Sequence, residues 1–184
     1  QFINCPIGWQ CAEINRAKLE AYGLDEFFNI KSGGSQAALD AALVGAQEKG
    51  VGDAFKESGR AMGYVFQIID DVLGVWGDEE TTGKPVGADI RRKKNSYPVV
   101  YTMGTANDED QKMLNEIYEK DELDDSDVDS VLAVMDRLDV KNQAQQEAEK
   151  YANVALESLA PVELSREARQ EVEDLAHFLL VRDR

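Results

Sequence analysis

The sequence predicts an all-α protein. Apolar residues recur at spacings of three and four rather than alternating, and runs of β-branched residues are short, which is the pattern of helices rather than strands. No long linker, repeat or low-complexity tract interrupts the 184 residues, and 43% of them are hydrophobic. This is enough apolar surface for a real core. We therefore expect one helical domain over residues 1–184.

The same periodicity predicts eight helices. The second is expected to be interrupted or bent at Gly33–Gly34, because paired glycines weaken a helix. Asp108, Ser126 and Ser165 stand where N-cap residues belong. The predicted ranges are 11–22, 25–48, 51–76, 88–104, 108–120, 126–138, 140–159 and 163–182.

Charge and composition exclude several classes of partner. The chain has 36 acidic and 20 basic side chains, a formal charge of -16, which repels nucleic acid and anionic membranes. No run approaches the ~18 apolar residues of a membrane span, and the amino terminus does not read as a signal peptide. A cytoplasmic protein without stable membrane insertion is expected. Cys5, Cys11 and His177 are too few and too widely spaced for zinc.

The most informative predicted helix is 51–76, of which residues 54–76 were placed on a helical wheel. On a helical wheel one broad side is apolar and a narrow stripe opposite is polar, so we expect the helix to be buried with its stripe facing something other than bulk solvent. The apolar side consists of Phe55, Met62, Val65, Phe66, Ile69, Val72, Leu73 and Trp76. The stripe consists of Arg60, Gly63, Gln67, Asp70, Asp71 and Gly74.

Asp70 and Asp71 are the first candidate functional residues. Two adjacent carboxylates facing a semi-buried cavity are costly unless they are paired, protonated or bound to a cation. Oxygen ligands without histidine or cysteine favour Mg²⁺, which takes one or two carboxylates and completes its shell with water and phosphate. The alternative is an N-cap or a solvent-exposed pair, against which the apolar flanks argue.

A glycine-rich loop and a basic run follow this helix. Gly77, Gly83 and Gly87, with Pro85, predict a tight loop, and the next helix is headed by four consecutive basic residues, 91–94. In so acidic a chain, this run close after a carboxylate pair suggests a polyanion held between metal and cations. A solvated basic helix face is the alternative.

These residues resemble a known family. Residues 66–71 (FQIIDD), followed by Gly77-Asp78 and by residues 83–90 (GKPVGADI), are similar to the second aspartate-rich motif of trans-polyprenyl diphosphate synthases and its downstream lysine loop. Residues 24–32 resemble the family's lysine-threonine motif, and residues 10–14 are a weaker match to its Gln-x-x-Asp-Leu segment. The resemblance covers essentially the whole chain and points to enzymes such as farnesyl and geranylgeranyl diphosphate synthases.

The resemblance implies an isoprenoid-synthase bundle and an enzyme that condenses an allylic diphosphate with isopentenyl diphosphate, releasing diphosphate. It implies a homodimer and Mg²⁺ as cofactor, bound by Asp70 and Asp71 and bridged to the allylic diphosphate. It further implies that Lys31, Lys84 and Lys94 contact that diphosphate and that Gln67 borders the site. Charge stabilisation of the leaving group would then dominate catalysis.

The chain departs from the family pattern in three places. Gly74 replaces the third carboxylate of the Asp-Asp-x-x-Asp motif, so that ligand is expected from Asp78 or is missing. Ser32 replaces the common threonine and keeps the hydroxyl. Nothing in residues 1–60 matches the family's first aspartate-rich motif, and the chain begins at Gln1 without an initiator methionine. We therefore expect the carboxyl-terminal portion of a synthase domain, a fragment without the first helices.

Three other functions compete with the synthase. A class I terpene cyclase on the same scaffold would ionise the same diphosphate without isopentenyl diphosphate, but the intact lysine loop favours the synthase. A non-catalytic regulatory subunit would more typically have degraded metal motifs. An unrelated helical scaffold is the blandest alternative. The product length and the preferred allylic substrate stay open.

Overall fold

The computed structural model describes residues 50–77, 83 and 85–182. In this part of the chain every regular element is an α-helix, which confirms the predicted all-α class. None of these helices is both long and apolar enough to cross a membrane. The helices are α1 (Val51–Trp76), α2 (Ala88–Arg91), α3 (Tyr97–Thr105), α4 (Asp108–Glu119), α5 (Asp125–Arg137), α6 (Val140–Ser158) and α7 (Arg166–Val181).

The predicted helix 88–104 is wrong as a single element. It divides into α2 and α3, because Lys93 adopts a left-handed φ of 49°, which ends a right-handed helix. Pro98 lies in the first turn of α3, where a missing backbone N–H costs nothing. The other predicted helices from residue 51 onward are confirmed to within a few residues, whereas ranges 11–22 and 25–48 lie outside the described residues.

Two of the three predicted N-caps are displaced. Ser165 caps α7 and accepts a hydrogen bond from the Ala168 N–H, as predicted. Asn107, not Asp108, caps α4. Asp124, not Ser126, caps α5, and it forms a reciprocal capping box with Asp127. Each cap oxygen satisfies an N–H that the first helical turn leaves without a partner.

Two compact units divide the described residues, and Asp70–Ala144 makes up the described part of the first. Within it, α5 contacts α2, α3 and α4. Burial of this apolar cluster is the main favourable contribution to the unit's stability. The cluster comprises Val75, Ile90, Val99, Ala106, Leu114, Ile117, Leu123, Val128, Val131, Val134, Met135 and Val140.

The second unit comprises residues 50–69 and Gln145–Arg182 in the described chain. The rings of Tyr64 and Tyr151 lie 4.7 Å apart, within the range of favourable aromatic pairs. Phe66, which the helical wheel placed on the buried side, is 38% exposed. The Arg182 guanidinium covers its ring at 3.9 Å and donates a hydrogen bond to its carbonyl oxygen. A cation–π contact therefore takes the place of full burial at this position.

Candidate functional site

Two adjacent aspartates of α1 lie in different surroundings. The Asp70 side chain is 49% exposed, whereas the Asp71 side chain is 5% exposed. Successive residues of a helix point about 100° apart, so a step of one residue takes the carboxylate from the surface into the interior. The two carboxylates therefore have separate environments, and each is defined by its own contacts.

Both oxygens of the buried Asp71 carboxylate accept hydrogen bonds. Its Oδ1 accepts a hydrogen bond from Lys94 Nζ at 2.9 Å, and its Oδ2 accepts one from the backbone N–H of Tyr97 at 2.8 Å. A buried carboxylate is tolerated when charge and hydrogen bonds compensate its lost hydration. Asp71 therefore ties α1 to Lys94 in the turn after α2 and to the first residue of α3.

Lys94 is the centre of an acidic cluster, which we call the Lys94 cluster: Lys94 with Asp70, Asp71 and Asp89. Besides Asp71, its Nζ donates to Asp89 Oδ2 at 2.9 Å and lies 3.9 Å from Asp70 Oδ2. Burial opposes the charged amine, but the Coulombic attraction and hydrogen bonds of Asp71 and Asp89 outweigh it and raise the pKa of Lys94. The lysine is thus held as an ammonium among three carboxylates.

The loop after α1 brings Asp89 into this cluster. The Gly87 N–H donates to the Val75 carbonyl at 2.9 Å, which fastens the loop to the last turn of α1. Gly87 has a φ of 76°, a conformation that glycine adopts without penalty. Its missing side chain also leaves room for Val128, since a Cβ there would overlap Val128 Cγ1. The chain then enters α2, where Asp89 is buried.

The basic run predicted to face a polyanion is dispersed. Arg91 pairs with Asp125 at 2.6 Å, Lys93 donates to the Lys120 carbonyl oxygen, and Arg92 is exposed. Only Lys94 reaches the aspartates of α1. Exposed pairs such as the one made by Arg91 contribute little to stability, so the run divides into surface contacts and one cluster lysine.

The structure describes only some of the predicted site residues. Lys31, Asp78 and Lys84 lie outside the described residues, so their assignment stays a prediction. Gln67 lies on α1, about one turn before Asp71, and is partly buried. These placements leave Asp70, Asp71 and Lys94 as the predicted residues that the described structure brings together.

Sequence reasoning missed one member of the cluster, Asp89. It stands in the quoted lysine loop, but no site role was predicted for it. The signal available was its position at the head of a helix next to the basic run. Nothing in the sequence alone showed that the loop returns to α1 and sets this carboxylate against Gly74.

The carboxylates of the cluster fit a magnesium ion that depends on other ligands. Within residues 50–77, 83 and 85–182, no group of three or more potential ligand residues could hold a metal by itself. Mg²⁺ characteristically uses one or two carboxylates and completes its octahedron with water and substrate phosphate. Three carboxylates around one ammonium also form an acidic environment, which favours a divalent cation. Of the three carboxylates, that of Asp70 is the most exposed.

These features define an all-α protein with a carboxylate and lysine cluster where one long helix meets the loop that follows it. The family model described as polyprenyl synthetase matches residues 10–135, more than half of the chain. The chain therefore belongs to the polyprenyl synthetase family, as the motif resemblance implied.

The chain is also similar to individual known proteins and solved structures. The chain is 28% identical over 167 residues to a (2E,6E)-farnesyl diphosphate synthase of Mycobacterium tuberculosis, covering 86% of this chain and 46% of that protein. Among solved structures, it is 31% identical to a geranylgeranyl pyrophosphate synthetase from Pyrococcus horikoshii, with a TM-score of 0.72 over 81% of this chain and 45% of that one.

A further similar structure contains ligands. It is the geranylgeranyl pyrophosphate synthase from Corynebacterium glutamicum complexed with isoprenyl diphosphate and magnesium. The identity is 25% and the TM-score 0.63, over 73% of this chain and 38% of that one. The chain spans about half the length of the curated relatives that it matches.

Proposed function

We propose that the protein is a magnesium-dependent trans-prenyltransferase, which condenses an allylic diphosphate with isopentenyl diphosphate and releases diphosphate. The observation that carries this proposal is the Lys94 cluster, in which an exposed carboxylate, Asp70, lies beside an ammonium that two buried carboxylates hold. The Asp70 carboxylate would bind a cation, and the Lys94 ammonium beside it would bind a phosphate oxygen. Together they suit a diphosphate that is bound with Mg²⁺. Membership of the polyprenyl synthetase family supports the same activity.

Lys94 has the capacity to bind a phosphate oxygen. An ammonium has three N–H donors, and the hydrogen bonds to Asp71 and Asp89 use two of them. The third is directed to neither partner, and Asp70 is too distant at 3.9 Å for a hydrogen bond. The side chain is 38% exposed, so a ligand can approach it.

The metal role falls first on Asp70. Asp71 was assigned the same role from the family resemblance and stays a candidate ligand, since each of its oxygens accepts one hydrogen bond and has a second lone pair. It also holds Lys94. Asp78 stays a further candidate. When bound, Mg²⁺ supplies charge neutralisation at the leaving diphosphate. The presence of magnesium in the Corynebacterium structure supports this cofactor.

The proposed reaction begins when the allylic carbon–oxygen bond breaks and its electron pair leaves with the diphosphate. Lys31, Lys84 and Lys94 stabilise the departing anion, and Gln67 borders it. Ammonium groups held in place for this charge lower the barrier without a reorganisation cost at the moment of reaction. The double bond of isopentenyl diphosphate then attacks the allylic carbon, and loss of a proton from the adduct restores a double bond.

The assembly and location are part of the proposal. The family resemblance implies a homodimer, and a cytoplasmic location is proposed beside it. Light scattering of the purified chain, followed on dilution, tests the dimer: a mass of two chains supports it and a mass of one chain rejects it.

A product assay tests the activity. The chain, and separately the full product of its gene, is incubated with Mg²⁺, isopentenyl diphosphate and allylic diphosphates of several lengths, and the products are identified by mass. Longer prenyl diphosphates establish the transferase and its product length. A hydrocarbon or alcohol formed without elongation would point to a cyclase, and no turnover in either form would favour a regulatory subunit.

A further inference from the structure

Gly74 occupies the position where the family motif has its third carboxylate. A Cβ built on Gly74 would lie 2.5 Å from Asp89 Cγ and 3.0 Å from Asp89 Oδ1, well inside the ~3.5–4.0 Å of van der Waals contact. The carboxylate of Asp89 thus fills the space that any side chain at position 74 would need. Gly74 and Asp89 are sterically coupled.

Asp89 reaches this space from a different element. It lies on α2, whose approach to α1 depends on the Gly87 N–H bonded to the Val75 carbonyl. The Asp89 side chain is 6% exposed, and its Oδ2 accepts a hydrogen bond from Lys94 Nζ. A carboxylate this deeply buried is retained because the ammonium compensates its charge.

We propose that Asp89 is a positioning residue, which fills the space left at Gly74 and, together with Asp71, holds the Lys94 ammonium for the diphosphate. This inference rests on the proposed function and deepens it. It places the Asp89 carboxylate in the space that a side chain at position 74 would need, whereas Asp78 stays the candidate for the missing ligand. It also assigns Gly74 a role, as the residue whose size admits Asp89.

Two carboxylates position a lysine better than one. A lysine side chain has large rotamer freedom, and a single ion pair leaves its ammonium free to swing about one partner. Hydrogen bonds of 2.9 Å to both Asp71 and Asp89 restrict that motion. Binding groups that are held before the ligand arrives avoid the ordering cost on binding.

A matched pair of glycine substitutions tests the steric coupling. Both Gly74 and Gly52 belong to α1, but a Cβ at Gly52 meets no described residue within 4 Å. We expect Gly74→Ala to lower the thermal unfolding midpoint by about 5 °C. Gly52→Ala should leave it unchanged or raise it by about 2 °C. In an Asp89→Ala background the added effect of Gly74→Ala should fall below about 2 °C.

Binding of inorganic pyrophosphate with Mg²⁺, measured by calorimetry, tests the positioning role. Gly74→Ala and Asp89→Asn should each weaken binding about tenfold, the usual loss when a supporting residue is removed, and Gly52→Ala should not change it. Asp89→Asn separates positioning from simple electrostatics. Removing a negative charge near an anion would tighten binding if Asp89 merely repelled it, whereas loss of positioning weakens it.

Each outcome decides between the claims. A Gly74→Ala penalty that persists without the Asp89 carboxylate overturns the steric coupling. Coupled unfolding midpoints with unchanged or tighter pyrophosphate binding in Asp89→Asn make Asp89 structural and overturn its positioning role alone. If the unsubstituted chain binds no pyrophosphate, the proposed function fails and the positioning role with it, while the midpoints still decide the packing of Asp89 against Gly74.

Discussion

Two lysines in the described part of the unit Asp70–Ala144, Lys94 and Lys120, pair with buried carboxylates, and the two clusters differ in how many carboxylates surround the ammonium. Lys120 pairs with one buried carboxylate, Asp127, at 2.6 Å. The other oxygen of Asp127 accepts the Asp124 N–H and completes the capping box of α5. In the Lys94 cluster a single ammonium instead lies among three carboxylates. The first cluster is a balanced pair of one ammonium and one carboxylate, and the second sets three carboxylates around one ammonium.

The difference separates a structural ion pair from a site that suits a ligand. Asp127 lies in the first turn of α5, where the helix dipole favours negative charge, and the hydrogen bond from Lys120 lowers its pKa. It needs no further partner. The Lys94 cluster sets three carboxylates around one ammonium, and one of them, Asp70, has a side chain that is 49% exposed, an arrangement that suits a divalent cation. The number of carboxylates around each lysine thus distinguishes the two clusters.

Removing each lysine tests this comparison most strongly. Lys94→Met leaves Asp71 and Asp89 buried without their cation, and we expect a loss of about 3 kcal/mol, at the low end of the range for broken buried pairs because water reaches Lys94. Lys120→Met should cost clearly less, because Asp127 keeps its backbone hydrogen bond and the helix terminus. Urea unfolding of the two variants measures the difference, and equal losses would contradict the distinction.

The Lys94 cluster depends on a loop that returns to α1, whereas Lys120 and Asp127 are only seven residues apart. Gly87→Ala should therefore disturb the Lys94 cluster, because an alanine there is strained in the left-handed conformation and overlaps Val128. We expect the free energy of unfolding to fall by about 2–3 kcal/mol. Gly83→Ala is the matched control. Gly83 has a similar φ of 67°, but no described residue lies within 4 Å of a Cβ built there, so only the strain, about 1 kcal/mol, is expected.

Urea unfolding again measures both glycine variants. The larger loss in Gly87→Ala should come with weaker binding of pyrophosphate and Mg²⁺, because Asp89 and Lys94 follow Gly87 in the chain. Equal unfolding free energies for the two variants would show that the contact with Val128 is not limiting.

The smallest expected effect is the pH dependence of the balanced pair. The folded-state pKa of Asp127 is lowered, so its contribution to stability is present above the unfolded value of about 3.9 and is lost as pH falls through the folded value. The unfolding midpoints of the unsubstituted chain and Asp127→Asn should therefore converge as pH falls from about 6 to about 2. The exposed Asp129→Asn is the control. A difference that is constant with pH would reject the assignment.

Local patterns were enough to predict the helices but not their turns. α1 was predicted over its whole length because its apolar residues keep one helical period for 26 residues. The break between α2 and α3 was not predicted. It occurs at Lys93, which adopts a left-handed conformation, although lysine is not a residue type that favours this conformation. Asp124 rather than Ser126 caps α5. Both residue types suit an N-cap, so the residue type alone did not distinguish between them.

The candidate site was predictable in its residue types and not in its geometry. The order of residues places Asp70, Asp71 and Lys94 near one loop, but which aspartate is buried depends on what packs against α1. The approach of Asp89 to Gly74 depends on the loop closing through Gly87 and Val75. Such contacts between distant residues are set by tertiary packing rather than by local propensity.

The most direct test is a calorimetric titration of inorganic pyrophosphate, with and without Mg²⁺, into the unsubstituted chain, Asp70→Asn and Asp53→Asn. Asp53 is an exposed aspartate on the same helix, so it controls for the loss of one surface charge. We expect magnesium-dependent binding that Asp70→Asn abolishes and Asp53→Asn preserves. Binding that is unchanged in Asp70→Asn, or equally weakened in both variants, would contradict a metal-bridged diphosphate at the Lys94 cluster.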